Sequence, residues 1–187
     1  MPALSTLLIR DAMSSMRPQI LYDADAEVAA WVFSQLPYAS HCIAELPKDW
    51  YRAYGIVRGG RLIAGVVWHD LQKNLGDVQI SIVGKGPWIT REIAEIIIFT
   101  PFSRFKVAHC TARHAASNDK ATVGIQRLGW VYEGRQRLAW DGKEDALLFG
   151  LTKERAKTWA AQSAQYSAPV RKQKAKAAVA VPLVMTP

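Results

Sequence analysis

The clearest signal along the chain is alternation. From Val78 to Val83 the apolar Val78, Ile80 and Ile82 share one face and the polar Gln79 and Ser81 the other, which is the period of a half-buried strand. Tyr51 to Arg58 and Arg61 to Asp70 are two further strands joined by Gly59-Gly60, a two-residue hairpin signal. Gln19 to Tyr22 reads as a short strand. Val107 to Arg113 reads as another, with Ala108, Cys110 and Ala112 on one face and His109, Thr111 and Arg113 on the other. Trp130 to Trp140 and Glu144 to Leu151 form a last hairpin around Asp141-Gly142.

Helical spacing appears in three places. Ala26 to Leu36 carries Val28, Trp31, Val32 and Leu36 and stops at Pro37. Thr90 to Phe102 carries Ile93, Ile96, Ile97 and Phe99, with Thr90 near the cap and Pro101-Phe102 as the stop. Asn118 caps a third helix that ends at Gly129. His41 to Asp49 shows no clear period, and the pattern fades after Trp159. Hairpins alternating with helical crossovers predict an α+β chain: a mixed, mostly antiparallel sheet of six to seven strands with helices on both faces.

At 187 residues the chain is long enough for one domain with a real core. We expect an N-terminal extension over 1–18, the folded domain over 19–159 and a basic, disordered tail over 160–187. Four of the eight net positive charges lie in that tail, as Arg171, Lys172, Lys174 and Lys176 without an acid. The tail is either a solubilising segment or a weak nucleic-acid tether. No apolar run reaches the roughly 18 residues of a membrane span, and the N-terminus lacks the basic start and apolar core of a secretory leader. Cys42 and Cys110 have no metal-type spacing and read as free thiols. No metal site is expected, and the location implied is the cytoplasm.

The ordered set Pro101-Phe102, Val107 to Ala112, Asn118, Ala121, Leu128-Gly129-Trp130 and Glu133-Gly134 resembles the GNAT superfamily of acyl-CoA-dependent N-acyltransferases. The resemblance spans roughly Gln19 to Leu151. It is most similar to the branch that acetylates ribosomal-protein N-termini and to small phage-encoded acetyltransferase-like proteins, for which the location would be the host cytoplasm. It implies a splay between the parallel strands Val78–Val83 and Val107–Arg113 that takes the pantetheine arm of acetyl-CoA. It also implies a pyrophosphate site at the following loop and helix N-terminus. The donor contacts implied are Ile82, Val83, Gly84, Lys85, Gly86, Trp88, Thr90, Arg91 and Asn118. The acceptor implied is a primary amine, on a protein N-terminus, a lysine or a small molecule, and the protein itself is expected to be a monomer or homodimer.

Two features depart from the family pattern, the pyrophosphate loop and the general acid. The loop glycines align with Gly86 and Trp88, so a Trp replaces the second. The Tyr that many members place seven residues after the Asn is Ile125, and the Ser that the ribosomal branch places three after it is Ala121. His109 and Ser81 are the catalytic candidates on the polar face. Each has a plainer reading, His109 as a packed imidazole and Ser81 as a backbone-bonded strand hydroxyl. His69 and Asp70, adjacent in a strand, are expected to point to opposite faces. His114 is expected in a solvated loop. A binding protein that keeps the scaffold and contacts nucleic acid or a protein partner is the rival reading.

Overall fold

Alternation along β4 (Asp77–Gly84) and its neighbours builds one sheet in the computed structural model, which describes residues 17–36 and 50–167. The other strands are β1 (Gln19–Leu21), β2 (Arg52–Arg58), β3 (Arg61–Gln72), β5 (His109–Ala115), β6 (Val131–Trp140) and β7 (Glu144–Thr152). Their order is β1-β2-β3-β4-β5-β7-β6. Every neighbouring pair is antiparallel except β4 and β5, which are parallel. The mixed α+β sheet predicted from the hairpin and crossover pattern is therefore present. The helices are α1 (Asp25–Ser34), α2 (Arg91–Thr100), α3 (Asp119–Arg127) and α4 (Lys153–Ser167).

The two sheet faces carry separate cores. On one, Val28, Ala29, Val32 and Phe33 of α1 cover Ala53 and Val67. On the other, Ile93, Ile97 and Ile98 of α2, Ile125 of α3 and Ala156 of α4 cover Val66, Trp68, Val78, Ile80, Cys110 and Phe149. The α1 layer leaves no room for a side chain at Gly65 beneath it. A Cβ on Gly65 would lie 2.5 Å from Val32 Cγ2 and 3.2 Å from Val28 Cγ1. Gly65→Ala is therefore expected to destabilise the fold by about 1–3 kcal/mol, the usual cost of overpacking. An unchanged urea midpoint would show that α1 can lift off the sheet freely.

Several boundaries differ from the sequence reading, each for a local reason. Pro101 does not stop the helical path. Its missing N–H shifts the bonding register, and Pro101–Phe105 continues as a π-helical turn that ends at Lys106 in the left-handed region, φ 60°. The following strand consequently starts at His109 instead of Val107 and runs to Ala115. Helix α4 was not anticipated. Its Trp159 Nε1 donates to the Arg127 carbonyl at 2.7 Å, tying it to the end of α3, a tertiary contact that periodicity cannot register. Cys42, Pro37, His41 to Asp49, the N-terminal extension up to residue 16 and the tail cations Arg171, Lys172, Lys174 and Lys176 lie outside the described residues.

Candidate active site

The β4–β5 ladder is short. It pairs Asp77 with His109, Val78 with Cys110, Gln79 with Thr111 and Ile80 with Ala112, then stops. Yet β4 continues to Gly84 and β5 to Ala115. The two strands diverge beyond Ile80 and Ala112. Lys85 N–H donates to the Ile63 carbonyl of β3 at 2.9 Å. Successive strand amides point to opposite edges, so Val83 and Ser81 also face β3. The amides of Ile82 and Gly84 therefore face the gap that β5 has vacated.

A cleft of about 340 Å³ fills this gap, lined by Ser81, Ile82 and Gly84 on one side and Arg113, His114 and Asn118 on the other. Trp88 lies over Gly84, where a Cβ would collide with the indole. Trp88 is 8% exposed and belongs to the core while also forming a cleft wall. Arg58 donates to the Pro87 carbonyl and pins the loop that carries it. Gly86 sits in that loop at φ +69°, a conformation that favours glycine.

Helix α2 begins beside this loop. Thr90 Oγ1 accepts from Ile93 N–H at 3.2 Å, as its position before the apolar run predicted. A second cavity of about 680 Å³ opens there between α2, α3 and α4, with Thr90, Arg91, Arg127 and Arg155 on its walls. Arg91 is braced by Glu95 at 2.8 Å. Ile89, Gly124 and Leu128 line both cavities, so they adjoin. Asn118 caps α3 through Ala121 N–H at 3.0 Å and faces the first cleft.

Of the donor contacts expected, Ile82, Gly84, Trp88 and Asn118 line the first cleft, and Thr90 and Arg91 the second. Val83 packs toward the α1 core instead. Lys85 and Gly86 are exposed in the loop and line neither cavity. Gly124, Arg127, Arg155 and Arg113 were missed. Arg113 Nε is buried without a hydrogen-bond partner among the described residues. Ile125 and Ala121, which replace the family's Tyr and Ser, both line the first cleft.

Two histidines lie elsewhere than expected. His109 sits at the closed end of the β4–β5 pair, opposite Asp77, and lines neither cavity. Its Nδ1 meets Asp77 at 3.0 Å and its Nε2 meets Glu133 at 3.0 Å. The pair with Glu133 crosses β7 at Gly150, where any Cβ would strike both side chains. Glu133 reaches across because a bulge shifts the β6–β7 register between Tyr132 and Gly134. His114 is no loop residue. With β5 extended to Ala115 it falls on the core face, 8% exposed, stacked on Phe149 at 5.1 Å and bonded to Thr122 Oγ1 at 2.9 Å.

These surroundings set opposite titrations. Burial disfavours the charged His109 ring, but the hydrogen bonds and charges of Glu133 and Asp77 outweigh it, so its pKa lies above the ordinary histidine value. Burial alone lowers that of His114. His109 thus adds stability that is full below about pH 6.5 and is lost as pH rises through its raised value. The His114 contribution is present above about pH 6.5 and is lost as pH falls through its lowered value. We expect His109→Gln to flatten the alkaline fall in unfolding free energy and His114→Gln to flatten the acid fall. Urea denaturation from about pH 5 to 9 reads both; curves parallel to the parent's would refute the assignment. Cys110 is fully buried and its thiol pKa is pushed well up by that burial, which leaves it a packing residue.

His69 and Asp70 correct the expected alternation. Asp70 lies in the left-handed region at φ 51°, within a register shift between His69 and Gln72. The bulge turns its carboxylate back to His69 Nδ1 at 2.9 Å, and His69 Nε2 meets Ser81 Oγ at 2.9 Å. Among the described residues no cluster of His, Cys, Asp and Glu has metal-binding geometry.

No protein-family model and no curated protein matches the chain. Solved structures do. A chimera of the Vibrio cholerae spermidine N-acetyltransferase SpeG with hSSAT aligns at a TM-score of 0.59 and 14% identity, over 76% of this chain and 99% of the other. A point mutant of the Vibrio cholerae enzyme aligns at 0.58 and 14%, over 78% and 98%. A protein named "Probable acetyltransferase" aligns at 0.52 and 19%, over 74% and 94%. At such identities the likeness is one of fold: the chain has the architecture of the GNAT acetyltransferases.

Proposed function

We propose that the protein is an acyl-CoA-dependent N-acyltransferase, in its simplest form an acetyltransferase, acting on a primary amine. The observation that carries this reading is the early end of the β4–β5 ladder. It leaves the Ile82 and Gly84 amides facing a cleft of about 340 Å³, where an extended amide-bearing arm would lie along β4. Such an arm would complete the interrupted ladder, satisfying strand groups that otherwise need water. The adjoining cavity fits the other end of the donor. Its wall joins the first turn of α2, where amides and helix dipole favour phosphate, to the guanidinium groups of Arg91, Arg127 and Arg155.

Within this reading the amine attacks the thioester carbonyl carbon, and the developing oxyanion lies beside a freed β4 amide. Asn118 holds the start of α3 against the cleft. Ser81 stands on the wall at the point of divergence. Ile125 and Ala121 offer no proton to the leaving sulfur, so that proton comes from the attacking nitrogen. The spermidine acetyltransferase activity named for two structural neighbours makes polyamines one arm of the acceptor screen. Protein N-termini and lysine are the others. A phage-type or ribosomal-protein role rests on the sequence resemblance.

The test is a thermal-shift titration of the full chain with acetyl-CoA. At about 100 times Kd, bound ligand adds about 2.7 kcal/mol to the folded state, a rise of several degrees for a domain of this size. Arg127→Gln with Arg155→Gln is expected to weaken the shift from acetyl-CoA more than that from a truncated pantetheine thioester. No shift at millimolar acetyl-CoA would overturn the reading and turn the screen to nucleic-acid and protein partners of the scaffold.

A further inference from the structure

We propose that Ser81, His69 and Asp70 form a proton relay that carries the acceptor ammonium's proton from the cleft to solvent. The proposal deepens the acyl-transfer reading and rests on it.

The geometry is continuous. Ser81 lines the cleft, on β4, one residue past the last β4–β5 pair. Its hydroxyl lies 2.9 Å from His69 Nε2, and His69 Nδ1 lies 2.9 Å from Asp70 Oδ2. A carboxylate only accepts, so Nδ1 carries the imidazole proton and Nε2 is left to accept from the Ser81 hydroxyl. The chain of donors therefore points outward in a single sense. The His69 side chain is 7% exposed and that of Asp70 54% exposed, so the relay starts in a sheltered wall and ends in water.

The groups facing His69 fit this use. Phe33 of α1 meets the imidazole edge-on at 5.3 Å and fixes its plane. Ser81 faces it from β4 and Asp70 from its own strand. Arg113 of β5 acts on Asp70, whose carboxyl is held below its usual range, first by the His69 hydrogen bond. An exposed third member distinguishes the arrangement from a nucleophilic triad, in which a buried carboxylate holds the imidazolium in place. Here a proton that reaches Asp70 leaves the protein.

The proton balance closes. The acceptor arrives as an ammonium and must lose two protons to become an amide. The first passes to Ser81 Oγ while the Ser81 proton moves to His69 Nε2 and the Nδ1 proton moves through Asp70 to water. After product release the starting tautomer is restored, Nδ1 taking a proton from water through Asp70 and Nε2 returning one through Ser81 to the open cleft. The neutral amine then forms the C–N bond, and as the C–S bond breaks the second proton goes from nitrogen to the leaving sulfur. Ser81 is the catalytic residue. His69 and Asp70 act through it.

Two measurements on the full chain decide the matter. Long-range ¹⁵N–¹H correlation of the imidazoles should show His69 protonated at Nδ1 with Nε2 as acceptor, and the Nε2 shift should move in Ser81→Ala. A His69 protonated at Nε2 would overturn the relay without reference to turnover. Steady-state acetylation across pH should show Ser81→Ala and His69→Gln slowed by about 10²-fold or more in kcat, with little change in KM for acetyl-CoA. In His69→Gln the low-pH limb of kcat should vanish. Asp70→Asn should fall between these variants and the parent. His109→Gln, altered at the closed end of the same sheet face, should keep the parent profile.

Unchanged kcat and pH profile in His69→Gln would overturn the relay and leave acyl transfer standing. An acetyl adduct on Ser81 by intact mass would also overturn it, because Ser81 would then be a nucleophile. A parent protein that leaves acetyl-CoA unbound would instead bring down the acyl-transfer reading, and the relay with it.

Discussion

On the proposed acyl-transfer reading, Gly124→Leu should leave the protein folded and weaken its binding of acetyl-CoA about 100-fold. Gly124 lies inside α3, where glycine costs roughly 0.5–1 kcal/mol relative to alanine. It lines both cavities at their junction, and a Cβ there would meet nothing within 4 Å. A bare helix surface at that point is hard to justify by packing and easy to justify by a ligand running from one cavity to the other. Gly124→Ala is therefore expected to raise Tm while only weakening acetyl-CoA. The leucine side chain should fill the junction and weaken binding by about 100-fold, some 2.8 kcal/mol at 1.4 kcal/mol per factor of ten. Isothermal titration of the three proteins measures this. A leucine variant with parental affinity would mean that the donor does not pass over α3.

Trp130→Ala should be the most damaging single change, costing about 3–5 kcal/mol. Trp130 is 2% exposed and sits where α3 turns into β6, in the core that joins Ile125, Leu128 and Phe149. Its backbone N–H reaches back to the Ile125 carbonyl at 3.2 Å. The indole Nε1 is buried without a hydrogen-bond partner among the described residues. Trp130→Phe should consequently lose much less, within about 1.5 kcal/mol, because losing volume is partly offset by removing a desolvated donor. Equilibrium urea unfolding at one pH separates the two. A phenylalanine variant as unstable as the alanine one would mean that the indole nitrogen has an acceptor in solution.

The stretch from Asn118 to Gly134 shows how local chemistry reads out directly. Asn118 as a cap, Gly129 as a stop at φ +92° and an aromatic strand after it all follow from short-range rules. The Gly59-Gly60 hairpin between β2 and β3 and the Thr90 cap of α2 follow in the same way. The candidate donor site was partly legible for the same reason. Of its expected residues that line the two cavities, Ile82, Gly84 and Arg91 sit on a strand or helix, Thr90 and Asn118 are caps, and Trp88 lies in the loop between β4 and α2.

The failures cluster where that regularity is broken. Alternation put His69 and Asp70 on opposite faces, and a left-handed residue in a bulge put them together. A two-residue error in the end of β5 turned His114 from solvent to core. His109 was placed by face correctly and by depth wrongly, since a strand's period says which side a residue takes but not which end of a splayed pair it occupies. The arginines of the second cavity come from α2, α3 and α4, far apart in sequence, and no periodicity links them.

By itself the sequence determined the seven strands, the first three helices and the mixed sheet, because caps, hairpin turns and apolar periods act within a few residues. Tertiary structure alone decided where the parallel strands part, which polar groups converge on the gap and which histidine stands beside it. Those outcomes depend on register shifts and on contacts between distant elements, whose energies no local stretch of chain contains.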